Sequence, residues 1–208
     1  MTGIVKTDQI QGAQGTTVTV PTGNTLAVTS NATVGGTFGV TGNTTVGGTL
    51  VNTGLITASA GVAIGGTGSA NTLDDFEEGT FDVTIRDATS GGNTGSVTQT
   101  NKYVKVGSFV WMQFNLINIT TTGMTGGNVL YLTGLPFTPA SGSFGSGSVI
   151  VNQVNIDNNV YDLNLFQNAG QSYAAFLQNV DNSGSTSAPV SLFDNSTADA
   201  FGTYMIQV

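Results

Sequence analysis

Phe81-Asp82-Val83-Thr84-Ile85-Arg86 alternates apolar and polar side chains with a period of two. Phe81, Val83 and Ile85 therefore share one face of an extended chain, the pattern of a half-buried β-strand. The same grammar runs on toward the C-terminus. Segment 97–106 is a second expected strand and 109–119 a third, with Val110, Met112, Phe114 and Leu116 on one face. Shorter strands are expected at 129–133, 149–156, 160–166, 173–177, 190–193 and 202–208. Turn-forming runs separate them, such as Ser90-Gly91-Gly92-Asn93, Gly123-Met124-Thr125-Gly126-Gly127, and segments 141–148 and 181–188. No amphipathic stretch of about 10–12 residues with a helical period interrupts them. About nine short strands without helices predict an antiparallel β-sandwich, jelly-roll-like, forming a head domain over 73–208.

Upstream of the head the grammar is different. Residues 9–73 contain no charged side chain. Leu26-Ala27-Val28-Thr29-Ser30-Asn31-Ala32-Thr33-Val34-Gly35-Gly36-Thr37 is echoed by Phe38-Gly39-Val40-Thr41-Gly42-Asn43-Thr44-Thr45-Val46-Gly47-Gly48-Thr49, an offset of 12 residues. A weaker echo follows at Val62-Ala63-Ile64-Gly65-Gly66-Thr67. Val-Gly-Gly-Thr suits a tight two-residue turn needing positive φ, and the segments between read as strands of three to five residues with Phe38 and Val40 on one face. Strands this short cannot close a core within one chain. A shaft over 22–72, built from copies of the chain wound about a common axis, would cover their edges and apolar faces. A flexible Gly/Thr linker fits less well, because linkers do not keep a period.

Composition bounds the chemistry. The 208 residues include twelve acidic and four basic side chains, no histidine and no cysteine, for a net charge of −8. No His-based relay, imidazole ligand or thiolate is available, so the chain is not expected to be an enzyme or to carry a metal or other cofactor. The acidic balance argues against nucleic acid as a partner. The N-terminus lacks a basic region followed by an apolar one, so a secretory signal is not expected. No apolar run approaches the ~18 residues of a spanning helix, and the strands look too short for a membrane barrel, so no membrane insertion is expected.

Three segments of the head, in order, are Leu73-Asp74-Asp75-Phe76-Glu77-Glu78-Gly79-Thr80-Phe81, Tyr103-Val104-Lys105-Val106-Gly107 and Gly134-Leu135-Pro136-Phe137. Together they resemble the C-terminal heads of tail-fibre-like structural proteins of tailed bacteriophages, the marine and cyanobacterial ones above all. The Gly/Thr/Val repeats resemble those proteins' shafts, and Lys6-Thr7-Asp8-Gln9-Ile10-Gln11 resembles their opening. The resemblance implies a homotrimeric virion surface component, assembled in the host bacterial cytoplasm. Residues 1–21 would be an arm docking on other virion proteins of the tail or capsid, with Ile4, Val5, Lys6 and Ile10 as its contacts. The head would meet a host surface glycan or protein. A capsid decoration or cement protein of the same architecture is the alternative.

The residues also have readings of their own. Asp74, Asp75, Glu77 and Glu78 read as a solvated collar at the start of the head, ahead of a cation site or a catalytic pair. Trp111, Tyr103, Tyr131, Phe81, Phe114 and Phe137 lie in strand patterns and read as core rather than as a sugar-stacking platform. Met124 and Phe144 are apolar residues within loops and are the candidates for ligand or subunit contact. Lys102 and Lys105 read as charges guarding a sheet edge. Gly107 marks a turn, and Gly134-Leu135-Pro136-Phe137 ends a strand, with Leu135 and Phe137 as anchors.

Overall fold

The structure, a computed structural model, describes residues 18–66, 68–193 and 196–208. Ile4, Val5, Lys6 and Ile10 lie outside the described residues. The chain divides into two compact units, the first ending at Leu55 and the second spanning Ile56–Val208.

Among the described residues of the first unit there is no strand or helix, and every residue is exposed. The backbone bends at 29–30, 35–36, 41–42, 47–48 and 53–54, and the spacing continues at 59–60 and 65–66. A bend therefore recurs every six residues, so the twelve-residue repeat is two similar steps. The second and fourth residues after each bend carry most of the apolar side chains: Phe38 and Val40, then Val46, then Leu50, then Val62 and Ile64. At the two full repeats the expected two-residue hairpin turns are not present, although Gly65 in the weaker echo does take φ 83°. None of Gly35, Gly36, Gly47 and Gly48 has a positive φ, so the chain bends and continues instead of reversing. A strand needs a neighbour to bond to, and the single chain supplies none here.

The second unit is all-β, as expected. It begins with β1 (Val62–Ala63) and β2 (Thr72–Leu73), which pair only with each other, around a 3-10 turn at Ser69–Asn71. The main sheet comprises β3 (Phe76–Arg86), β4 (Thr94–Val106), β5 (Phe109–Ile119), β6 (Tyr131–Thr133), β7 (Gly145–Asn152), β8 (Val160–Gln167), β9 (Tyr173–Val180), β10 (Ser185–Ser187) and β11 (Ala198–Gln207). Its order is β10-β9-β6-β3-β4-β5-β11-β7-β8, and β8 pairs again with β9. The ladder thus closes into an eight-stranded antiparallel barrel, with β10 as an extra strand on β9. The expected jelly-roll-like sandwich is not confirmed. The closing piece is β6, whose three residues pair with β3 on one side and β9 on the other.

Alternation fills the barrel. Phe81, Val83 and Ile85 point inward from β3, and Val110, Met112, Phe114 and Leu116 from β5, joined by Leu165, Phe176, Tyr204 and Ile206. An eight-stranded barrel is just wide enough to be packed by such side chains. On β5 the parity changes once. Leu116 faces Ala200 and Ile119 faces Ala198, so Ile117 and Asn118 oppose Asp199 in a bulge. Asn118 takes φ 55°, its N–H donates to Asp199 Oδ1 at 2.9 Å, and Ile119 thereby reaches the core. The segment 190–193, expected as a strand, is instead a 3-10 turn whose Phe193 stacks edge-on to Phe176 at 5.5 Å.

Two expectations about local features meet the structure differently. Gly107 does turn β4 into β5, at φ 56°, and Gly134 does end β6, at φ 85°. A Cβ on Gly134 would fall on the Asp82 carbonyl, so glycine is required there. Leu135 and Phe137 pack against the core. Lys102 and Lys105, however, guard no edge, because β4 is hydrogen-bonded to β3 and β5 on its two sides.

One buried carboxylate ties two loops together, the β3–β4 and β5–β6 connections. Asp87 accepts hydrogen bonds from Asn93 N at 2.7 Å, Asn93 Nδ2 at 3.1 Å and Thr125 N at 3.0 Å. The Thr125 N–H, helped by Asn93, holds its carboxyl below the usual value of 3.8. Because the folded value is depressed, this stabilisation is present above pH 4 or so and is lost as the pH falls through the folded value. Asp87→Ala is expected to lower stability by about 2–3 kcal/mol in a urea titration at neutral pH. The difference between it and wild type should shrink on acidification below about pH 4.

Candidate functional site

The barrel's outward-facing residues fall into rows that can be followed across the register. One row runs Val104, Trp111, Met205, Ser146, Phe166 over β4, β5, β11, β7 and β8. The row beside it, over the same strands, runs Lys102, Gln113, Thr203, Ser148, Asn164. The first is mainly apolar and the second wholly polar. Together, with Leu177 and Asn179 of β9 and Ser185 of β10, they line a trough of about 930 Å³ on the outer face.

Beneath the trough, the inner face of the same strands is short of side chains. β7 reads Gly145-Ser146-Gly147-Ser148, with serines outward and glycines inward. A Cβ on Gly145 would land on the Tyr204 hydroxyl, and one on Gly147 on the Thr203 carbonyl. On β11 a Cβ at Gly202 would land on the Phe114 ring. The absent side chains leave the inner space at these strands to Tyr204, Thr203 and Phe114. Inside, Tyr204 donates its hydroxyl to Gln167 Oε1 at 2.5 Å, and burial raises its pKa far above the usual range.

Within the trough, Trp111 is 49% exposed, with Phe109 tilted against it at 6.2 Å. The expectation that Trp111 belongs to the core is corrected. The alternation that turns Val110 and Met112 inward turns Trp111 and Gln113 outward. Phe81 and Phe114 are buried as expected, and Tyr103 and Phe137 are half-buried against the core. Tyr131 is corrected too, because Leu132 takes the inward place on β6 and Tyr131 faces outward against Tyr173 at 5.0 Å. Lys102 is, among the described residues, the only charged side chain lining the trough. Among the described residues, no hydrogen bond uses the side chains of Gln113, Ser148 or Thr203. Asn164 Nδ2 donates to Asp162 at 3.0 Å, and Ser185 Oγ to Asn179 at 2.6 Å.

Phe144 lies beside this surface. It is 66% exposed, stacks on Phe166 at 5.9 Å, and with Phe109 and Met205 lines a second hollow of about 340 Å³. Met124 is elsewhere, half-buried and packed against the core. The two loop residues singled out in the sequence are thus not brought together.

The acidic segment does not converge. Asp75 pairs with Lys105, and Glu77 accepts a hydrogen bond from the Tyr103 hydroxyl, whose pKa that bond raises. Glu77 and Glu78 point to opposite faces of β3, with Glu77 on the side of Tyr103 and Phe81. Among the described residues no three acidic side chains gather into a cation site. No protein-family model matches the chain, and no curated protein matches it in sequence.

Proposed function

We propose that this chain is a non-enzymatic, homotrimeric structural protein on the virion surface of a tailed bacteriophage, a short tail-fibre-type appendage. Its N-terminal arm docks on the particle, 22–72 forms a trimeric shaft, and the barrel is a head that faces the host. The observation that carries the reading is the uncharged six-residue period together with what it leaves uncovered. Phe38 is 71% exposed, Leu50 71% and Leu55 93% in the single chain. Burying each such side chain is worth about 1.5–3 kcal/mol. A period that neither pairs nor buries itself within one chain is met by further copies about a common axis. The lack of charge from 9 to 73 agrees, because a charge near the axis would face its own copies. The three head segments named above supply the phage affiliation.

Native mass measurement of the full chain should give 63.3 kDa, three times the 21.1 kDa protomer. Antibodies to the head should label the tail of intact particles. A 21.1 kDa monomer would remove the shaft, and label spread over the shell would make the protein a capsid decoration instead.

A further inference from the structure

We propose that the outer trough of the barrel binds a neutral oligosaccharide, laid across β5, β11, β7 and β8 with one sugar ring against Trp111. The inference rests on the reading of the barrel as a host-facing head and names what that head grips.

A sugar ring offers an apolar C–H face and a rim of hydroxyls that both donate and accept hydrogen bonds. The trough offers the complement in two parallel rows. Trp111, Met205 and Phe166 present flat or soft apolar surface, and Trp111 is held in place by Phe109. One row over, Gln113, Thr203, Ser148 and Asn164 present amides and hydroxyls at successive strands, about 4.8 Å apart. Three of these four have no bond within the described protein to give up. The four span three strand intervals, about 14 Å, room for more than one ring.

Other occupants fit the lining less well. With Lys102 the only charged lining residue among the described ones, a polyanion would find a single partner. An extended peptide adds to a free sheet edge, but β5, β11, β7 and β8 are each paired on both sides. β10, unpaired on its outer side among the described residues, offers only the three residues Ser185–Ser187. An acyl chain or amphipathic helix would strand the Gln113-to-Asn164 row without water. Contacts of this kind are weak singly, and three heads on one shaft would multiply them.

The protein contains one tryptophan, so its emission reports on the trough alone. The full-length protein is titrated with short oligomers of glucose, galactose, mannose and N-acetylglucosamine while Trp111 fluorescence is followed. At least one sugar should shift the emission to the blue and saturate. Q113A and N164A should each weaken that binding tenfold or more, with native mass and thermal midpoint unchanged. Acrylamide should quench Trp111 in the native assembly. Absence of any saturable shift overturns the proposal. So does a Trp111 shielded from acrylamide until the assembly dissociates, which would make the trough a contact between copies. Either result leaves the 63.3 kDa mass, and with it the trimeric reading, standing on its own measurement.

Discussion

A single carboxylate in the six-residue period, Val40→Asp or Val46→Asp, is expected to turn a 63.3 kDa assembly into 21.1 kDa chains. Val40 and Val46 hold the fourth place after successive bends, and both are exposed in the single chain. Three-fold assembly would bring three copies of the new carboxylate together. Like charges about 4 Å apart repel by about 4 kcal/mol per pair at the effective dielectric of a protein surface, and three copies make three pairs. The lost burial of valine adds about 1.5 kcal/mol per chain. Protonation removes the repulsion, so acidification below the carboxylate range should restore part of the assembly. Thr45→Asp is the control. Thr45 holds the third place after its bend, which in a paired, extended shaft would turn away from Val46, and its charge should leave the mass at 63.3 kDa. Native mass spectrometry reads all three variants, and an intact trimer for both valine variants would remove the axis from this part of the chain.

Gly147→Val should destabilise the barrel by about 3 kcal/mol or more, although strand propensity alone predicts a gain of up to about 1 kcal/mol. Gly147 pairs with Tyr204, and a Cβ there would land on the Thr203 carbonyl and within 3.0 Å of Tyr204 Cα. Those are backbone atoms of the neighbouring strand and cannot swing aside. Ser148→Val, one residue along, points outward and should change stability by no more than about 0.5 kcal/mol. The contrast is read from urea midpoints. Equal effects at the two positions would show that the inner face of β7 has room that its geometry denies.

The strands with the strongest alternation were legible in the sequence, and for a plain reason. β3 and β5 are packed on one face and wet on the other, so Phe81 through Arg86 and Val110 through Leu116 carry the pattern openly. The ends that were missed have other causes. Gly145 to Ser148 reads as loop, since glycine and serine are poor strand formers, yet the glycines are there because Tyr204 fills the space. Ala198-Asp199-Ala200 is masked in the same way, its small residues facing a crowded core and its aspartate anchoring the β5 bulge. Alternation says which way a side chain faces but not whether the last strand meets the first. That is why a sandwich was expected where the ladder closes. The trough was half legible. Trp111 sits at an outward position of a strand already read correctly, whereas the partners of its row come from strands far apart in sequence, aligned only by register.

The brevity of β6 bears on the order of events during folding. β3 to β5 and β7 to β9 each join through neighbours in sequence, and the two groups meet at two seams. A long one runs through β11, paired with β5 and β7, and a short one lies where Thr84–Arg86, Tyr131–Thr133 and Tyr173–Ala175 meet. Sealing the short one brings segments some ninety positions apart into register and gains only three paired residues on each side, a large loop-closure cost for few bonds. That seam is expected to form last and open first. Amide protons of Tyr131 to Thr133 should therefore exchange with solvent well ahead of those in the middle of β5.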